Sequence, residues 1–291
     1  MFDMRPGPTG GPRVQSIFHP SDFSEASEVA FAHALKVALV AGGTLNMLHA
    51  APEPATAAEW HDFPGVRDTL TRWQLIPKGS PPNALTQLGI DVHKVMAVGK
   101  DPVEACLGFL EQNPADLIVL AVHQYEGRMR WLHKSVGEPI ARGSGQMTLF
   151  IPHGVEGFVS RKDGTLSLRH ILIPITNKPR PQPAVTAAVR VIRALQLREG
   201  TVTLLHVGAT GDAPAVKIPD DTGWTWNKVV TPGDPVDVIL DQAQSLPADL
   251  IIMTTDGPDG FLDGLRGTTS ERVLRKARCP IANLPVGSML G

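Results

Sequence analysis

The sequence has few of the features that would place the chain in a specialised class. Its 291 residues include only two cysteines, and charged residues make up 19%, with a formal net charge of −2. Two cysteines at unrelated positions argue against a disulfide framework. The near balance of charges leaves no basic stripe for a nucleic-acid backbone. The apolar runs are far shorter than the roughly 20 residues that a membrane helix needs. We therefore expect a globular cytoplasmic protein with neither a nucleic-acid nor a membrane partner.

Motifs for metal binding and hydrolysis are also missing. The ten histidines include no HxxH or HExxH spacing, and no GxSxG motif is present. We predict neither a metal site nor a catalytic residue. His49 and His206 end equivalent apolar segments, so we interpret both as residues that serve the fold. His19 and His123 lie near the predicted site of the first copy, and a ligand role for them stays open.

What the sequence does contain is a duplication. Residues 115–152 reappear as residues 248–285 at a constant offset of 133, and both segments begin with Ala-Asp and an apolar run. Further upstream, Pro174 repeats Pro20 at the larger offset of 154. The second copy has therefore lost about 24 residues in its middle. A repeat of this length predicts two similar domains, each large enough to bury its own core.

The duplication divides the chain into four predicted segments. They are a disordered N-terminus over 1–12, a first domain over 13–153, a linker over 154–168 and a shortened second domain over 169–291. In the linker, two short alternating segments flank a Lys-Asp-Gly turn, which predicts a hairpin that packs against a neighbouring domain edge.

Within each copy, short apolar segments alternate with helical ones. In the first copy we predict helices over 57–75 and 102–113 and near 134–143. In the second copy the Gly-, Pro- and Asp-rich residues 208–225 replace the first of these helices with a loop. Alternation of this kind predicts parallel strands covered on both faces. The predicted fold is α/β, with two repeated domains that each form an open parallel five-stranded sheet with helices on both faces.

A loop rich in glycine and hydroxyl groups follows the apolar run Leu250 to Met253 in the second copy. Its glycines are 257, 260, 264 and 267, and its hydroxyl residues are Thr268, Thr269 and Ser270. Such a loop can hold a phosphate on backbone N–H groups. The same residues also suit a structural turn with a Thr or Ser helix cap near Glu271, so the spacing alone leaves both interpretations open.

Taken together, these motifs resemble the universal stress proteins, an adenine-nucleotide-binding α/β family. PSDFSEAS at 20–27 is similar to the family's P-T-D-F-S-E, and LLHV at 204–207 is similar to its second strand. The nine residues between Gly257 and Gly267 match its G-x2-G-x9-G-[ST] motif. The chain is identified as a tandem member. The resemblance implies a Rossmann-like fold of the adenine nucleotide alpha hydrolase type.

The resemblance also implies how a nucleotide would be held. In nucleotide-binding members, the strand-one aspartate and the residue after the LH pair contact adenine, and the glycine loop with its Ser or Thr holds the phosphates. The first copy keeps Asp22 and Ser135 but has Gln124 and Lys134 at glycine positions. Its phosphate loop is degenerate, so we expect no binding of the family type there.

The second copy keeps the phosphate side of the pattern. However, Thr176 replaces the aspartate and Thr254 replaces the first glycine. We predict weak or altered binding of ATP or another adenine nucleotide in this copy, with less preference for adenine. The predicted contact residues are Pro174, Thr176, Val207, Met253, Thr254, Gly257, Gly267, Thr268 and Thr269, with Asp22 and Ser135 as the remnants of the first site.

Three functions remain open. The first is a stress-response protein that binds a nucleotide or another phosphate-bearing small molecule and acts through an unknown protein partner. The second is a ligand-free interaction module, in which the last strands MTLFI and PIANL pair the halves edge to edge. The third is an ATP-hydrolysing enzyme; no candidate base accompanies the hydroxyls, although Asp256, Asp259 and Asp263 are close in sequence. By resemblance, the two halves form an intramolecular pseudo-dimer, and a homodimer of whole chains is a further expectation.

Overall fold

A computed structural model of the chain describes residues 14–54, 57–81, 83–122, 136–219, 223–256 and 268–287. The N-terminus predicted to be disordered lies outside these residues. The strands of the first half are β1 (Ser16–Pro20), β2 (Thr44–Ala51), β3 (Asp91–Val98), β4 (Leu117–Val122) and β5 (Thr148–Pro152). Those of the second half are β6 (His170–Pro174), β7 (Thr201–Val207), β8 (Thr225–Thr231), β9 (Leu250–Thr255) and β10 (Ile281–Pro285).

Nine helices connect these strands within the described ranges. The first half contains α1 (Glu25–Ala41), α2 (Ala57–Asp62), α3 (Val66–Arg72), α4 (Ala84–Gln87), α5 (Pro102–Gln112) and α6 (Gly137–Ser144). The second half contains α7 (Gln182–Ala194), α8 (Pro235–Ser245) and α9 (Thr269–Leu274). None of them combines the length and the apolar character that a membrane crossing requires.

The strands form one ten-stranded sheet in the order β3-β2-β1-β4-β5-β10-β9-β6-β7-β8. Each half contributes the five parallel strands that the alternation predicts. The halves meet where β10 runs antiparallel to β5, with Ile281 opposite Phe150 and Asn283 opposite Thr148. The predicted edge-to-edge pairing of the two last strands is therefore confirmed.

Helices cover both faces of the sheet, as predicted. Ile17 in β1 packs in the same core cluster as residues of α1 and α7, whereas its neighbour Phe18 packs with residues of α5, α6, α8 and α9. Alternate residues of a strand point to opposite faces, so each β1 side chain enters a different core. Cys106 and Cys279 are buried and unpaired, and burial raises the pKa of both thiols to about 12. Both cysteines are core residues.

The helix ends follow from local chemistry. The Ser24 hydroxyl caps α1 by accepting the Ser27 N–H at 3.1 Å, and α1 ends at Gly42 in the left-handed conformation with φ 63°. Asp101 caps α5 and Asp234 caps α8, each followed by proline at the first helical position. Because proline lacks an N–H and its φ is already helical, it suits this position.

Two predicted helices differ in the structure. The helix predicted over 57–75 is split into α2 and α3 around Phe63-Pro64-Gly65. Proline disfavours helical geometry at the preceding residue and removes a backbone donor, so a continuous helix cannot pass through Pro64. The helix predicted near 134–143 begins at Gly137 and ends at Ser144. The short α4 was not predicted. The predicted loop over 208–225 contains a single 3-10 turn at Thr210–Asp212, and β8 begins at its last residue.

The repeated Ala-Asp pair has a structural role in both halves. The Asp116 carboxylate accepts the backbone N–H groups of Gln15 at 2.6 Å and Ser16 at 3.0 Å. Asp249 accepts the two equivalent N–H groups at the start of β6, at 2.7 and 2.9 Å. Each carboxylate thereby ties the beginning of the first strand of its half to the beginning of the fourth.

The repeated histidines also serve the fold, as predicted. His49 Nδ1 lies 2.7 Å from the Ser21 carbonyl oxygen, and His206 Nδ1 lies 3.1 Å from that of Ile175. Because a carbonyl only accepts, each Nδ1 carries the proton and donates. The bonds hold the residue after the first strand of each half beside the second strand.

The linker closes as a turn against the first half. Val159 and Leu166 form a single antiparallel bridge. His33 Nε2, buried in α1, accepts the N–H groups of Phe158 at 3.0 Å and Val159 at 3.2 Å. On the other side of the turn, the Arg161 carbonyl oxygen accepts hydrogen bonds from the side chains of Arg72, in α3, and Trp73, which follows it. The linker is therefore fixed to the first half by buried hydrogen bonds.

Candidate functional site

The second half has a crevice at the carboxyl ends of its parallel strands. From β6 the chain passes through α7 to β7 on one side, whereas β9, on the other side of β6, is reached only later through α8. The strand order therefore reverses between β6 and β9. In open α/β sheets, ligands bind at such a topological switch point.

A cavity of about 350 Å³ occupies this crevice. That volume lies at the lower end of the range typical of small-molecule sites. The lining residues are Pro174, Ile175, Thr176, Lys178, Pro179, Leu205, Val207, Pro235, Ile239, Met253, Thr254, Thr255, Asp256, Thr268, Thr269 and Ser270. They come from β6, β7, α8, β9, α9 and the segments that follow β6 and β9.

Seven of the nine contact residues predicted for the second copy line this one cavity. They are Pro174, Thr176, Val207, Met253, Thr254, Thr268 and Thr269. The other two, Gly257 and Gly267, lie outside the described residues, as do Gln124, Lys134 and Ser135 of the first copy. Residues separated by almost 100 positions in sequence thus face one space.

The cavity has an apolar part and a hydroxyl-rich part. Leu205, Ile239 and Met253 are buried and line it together with Val207. The hydroxyl groups come from β9, from Thr176 and from the first residues of α9 and its cap. An apolar surface beside a set of donors suits a ligand with one flat apolar portion and one polar or anionic portion.

One hydroxyl in the cavity wall lacks a hydrogen-bond partner. Thr254 Oγ1 is buried and makes no hydrogen bond with any residue that the structure describes. Burial of an unpaired hydroxyl is unfavourable, so such atoms are uncommon and often indicate a missing partner.

The structural interpretation of Thr268 is realised as well. Its Oγ1 accepts the Glu271 N–H at 3.2 Å, and Glu271 Oε2 accepts the Thr268 N–H at 3.3 Å, which together form a capping box for α9. The cap uses the hydroxyl as an acceptor only. The hydroxyl can therefore still donate a hydrogen bond to a ligand.

Two charged residues line the cavity; Asp256 was named among the candidate aspartates, whereas Lys178 was missed. Lys178 and Asp256 are both exposed at its lining. Lys178 brings the positive charge that an anionic ligand requires, whereas Asp256 opposes it. The signal for Lys178 was its place two residues after Thr176, where the first copy has Ser24.

The equivalent place in the first half is arranged differently. Asp22 is exposed, and its Oδ1 accepts the Ser24 N–H at 3.0 Å, so it orders the turn before α1. Phe23, with φ 61°, stacks on His49 at a centroid distance of 4.0 Å. Asp22 is not part of the second-half cavity. The two best preserved parts of the family pattern therefore stay in separate halves.

His19 is buried, and both of its ring nitrogens contact other protein atoms. Its Nδ1 lies 2.9 Å from the Val119 carbonyl oxygen, its Nε2 lies 3.4 Å from Ser27 Oγ, and the residue is fully buried. Desolvation lowers its pKa to about 4, with smaller opposing contributions from Val119 and Asp22. A ligand role for His19 is thereby excluded, and His123 lies outside the described residues. Where side chains are described, no three His, Cys, Asp or Glu residues form a metal-binding group.

The fold and the cavity define a doubly wound α/β protein with a ligand crevice at a strand-order switch. The chain belongs to the universal stress protein family, whose sequence profile matches residues 14–152 and 223–284. No curated protein sequence matches it.

Solved structures share the fold of the whole chain. A universal stress protein from Archaeoglobus fulgidus is 16% identical, with a TM-score of 0.60, and the alignment covers 94% of this chain and 97% of that one. A putative universal stress protein from Pseudomonas aeruginosa is 13% identical, with a TM-score of 0.56 and coverages of 94% and 93%. A universal stress protein in complex with cAMP is 22% identical, with a TM-score of 0.35 and coverages of 48% and 98%. The first two likenesses define the fold alone.

Proposed function

We propose that the chain is a stress-response protein that binds a nucleotide or another phosphate-bearing ligand weakly in the second-half cavity. The observation that carries the proposal is the cavity itself, because seven residues chosen from the family pattern line one crevice at the switch point. Binding there would be relayed to a protein partner. The cytoplasmic location and a homodimer of whole chains stay predictions.

The chemistry of the lining supports a ligand with a flat apolar group and an anionic group. The buried apolar side chains suit a base, and Lys178 with the hydroxyl groups suits a phosphate. Thr254 Oγ1 supplies a hydroxyl whose hydrogen-bonding capacity is unused within the protein. ATP or another adenine nucleotide is the first ligand to test.

Two features make the proposed binding weak and less selective. Thr176 stands where the family has an aspartate, so no carboxylate at that position accepts a hydrogen bond from the adenine amino group. The Asp256 carboxylate also lies in the lining and repels phosphate. We expect adenine and guanine nucleotides to differ little in affinity.

Replacement of Thr254 by valine tests the proposal. The change keeps the side-chain shape and removes the unpartnered oxygen, so the ligand-free protein should gain about 1 kcal/mol in its free energy of unfolding. ATP affinity should fall about three- to tenfold, because the ligand loses one hydrogen bond. Chemical denaturation and isothermal titration calorimetry measure the two effects.

A matched pair of variants shows which half holds the ligand. Val207→Trp fills the second-half cavity, and Ala50→Trp places the same side chain at the equivalent position of the first half. We expect Val207→Trp to abolish ATP binding and Ala50→Trp to leave it unchanged. Wild-type protein that binds none of ATP, ADP, AMP or inorganic phosphate would overturn the proposal and favour the ligand-free interaction module.

A further inference from the structure

Two ion pairs cross the junction of the halves, and each joins an arginine of one half to a glutamate of the other. At the offset of 133, Glu138 and Arg142 of α6 correspond to Glu271 and Arg275 of α9. In the structure, Arg142 binds Glu271 at 2.6 Å and Arg275 binds Glu138 at 3.4 Å. Reciprocal contacts of this kind are typical of an isologous two-fold interface. The halves therefore pack through their equivalent helices as well as through β5 and β10.

The Arg142–Glu271 pair lies next to the cavity of the second half. Glu271 also belongs to the capping box of α9 and so contacts Thr268 of the cavity lining. The residue equivalent to Thr268 in the first half is Ser135, which lies outside the described residues. The Arg142–Glu271 pair is thus linked directly to a residue that lines the cavity, whereas Arg275 of the reciprocal pair makes a longer contact of 3.9 Å with Glu271.

The Glu271 carboxylate is held on both of its oxygens. Oε1 accepts from Arg142, and Oε2 accepts the Thr268 N–H at 3.3 Å and lies 3.9 Å from Arg275. The Glu271 side chain is only 11% exposed, so its orientation depends on these partners rather than on water. A charge-assisted bond of 2.6 Å is the shortest of the three contacts and limits carboxylate rotation most strongly.

We infer that Arg142, in the first half, is a positioning residue for the ligand cavity of the second half, acting through Glu271 on Thr268. The predicted effect of Arg142 on ligand affinity rests on the proposed function. The contacts that hold Thr268 in place do not, because they exist without ligand. Arg142 gives the first half a role in binding despite its degenerate loop.

The first test needs no ligand. In the Arg142→Leu variant, the Thr268 amide should exchange with solvent at least several-fold faster, because Glu271 no longer holds it. Glu138→Gln is the matched comparison, since it weakens the reciprocal pair but leaves the bond from Arg142 to Glu271 intact, and it should raise that exchange rate much less. Hydrogen exchange followed by NMR measures both, and Arg142→Lys should restore part of the protection. Equal exchange in the Leu and Gln variants would overturn the inference.

The second test uses ATP as the probe and the full chain. Arg142→Leu should weaken ATP binding about three- to tenfold, and Glu138→Gln should weaken it much less. In a Glu271→Gln background, Arg142→Leu should add little further loss, as expected for residues acting in series. Fully additive losses would overturn the inference. If wild-type protein does not bind ATP, the proposed function fails, and the exchange experiment alone decides whether Arg142 positions Thr268.

Discussion

The regions that follow β1 and β6 are equivalent places in the two halves, yet they differ in what occupies them. After β1, Phe23 stacks on His49 and Asp22 orders the turn before α1. After β6, Thr176 and Lys178 border an open cavity. The first half uses this place for its own packing, whereas the second half leaves it open to a ligand.

Buried polar atoms without a hydrogen-bond partner are also distributed unequally between the halves. The buried side-chain atoms without a hydrogen-bond partner, among residues that the structure describes, are His206 Nε2, Thr254 Oγ1 and Asn283 Oδ1, and all three belong to the second half. In the first half, buried His19 and His33 use both ring nitrogens. Unpaired polar groups reduce stability and are retained where function needs them. One of the three, Thr254 Oγ1, belongs to a residue of the cavity lining.

The largest predicted difference between the halves is a loss of stability at low pH, caused by two buried histidines of the first half. Burial lowers the pKa of both His19 and His33 from 6.5 to about 4. His33 donates from Nδ1 to Val29 and accepts at Nε2 from the linker, so only its neutral form fits. Between pH 6.5 and 4 the unfolded chain binds more protons than the folded chain. The stabilisation is therefore complete above pH 6.5 and is lost as the pH falls.

Lowering the pH from 7 to 4.5 should cost roughly 5 kcal/mol of unfolding free energy from these two histidines together. His19→Ile, which introduces the residue that the second half has at this position, should remove about half of that dependence. His93→Gln, at an exposed position on β3, is the control and should change it little. Urea denaturation at both pH values measures the effect. An unchanged pH dependence in His19→Ile would contradict this account.

The next prediction concerns the junction. Phe150 in β5 is 1% exposed, and the position equivalent to it in β10 is Asn283. Phe150→Ala should lower the free energy of unfolding by about 3–5 kcal/mol, because it leaves a cavity between the halves. Val98→Ala, at an exposed position of β3, should change it by less than about 0.5 kcal/mol. A loss as small as that of Val98→Ala would show that the halves fold without using their junction.

The smallest effect on the free energy of unfolding is expected at Asn283, where the substitution should stabilise the protein. Asn283→Leu is close to isosteric and removes a buried carbonyl oxygen that has no partner. The free energy of unfolding should rise by about 1–3 kcal/mol. Thermal or chemical denaturation of the full chain measures the gain. A loss of stability would mean that Asn283 is satisfied by water or by a group outside the described residues.

Much of the fold was predictable because its determinants are local. The capping residues Ser24 and Asp101, and the proline after Asp101, specify helix starts through contacts within three residues. Strands such as β4 are apolar throughout because both faces are covered. The break between α2 and α3 was also encoded locally, by Pro64, but the apolar spacing around it favoured a single helix.

The candidate site was predictable only in part. The family pattern selected the cavity residues on β6, β7 and β9, because their position at strand ends follows from the order of the strands. It could not show that Asp22 would be used in a turn or that Lys178 would line the cavity. These outcomes depend on how side chains of neighbouring segments pack, which is not contained in the spacing of a motif.

The sequence by itself determined that the chain is a duplication, that each half is a doubly wound α/β unit, and where several of its helices begin. These properties follow from repeat offset, hydrophobic pattern and capping chemistry, which act over short distances along the chain. Only the tertiary structure decided that Thr254 Oγ1 is unpaired and that Arg142 binds Glu271, 129 positions away. Such contacts arise when distant segments are packed together, and their geometry depends on every side chain between them.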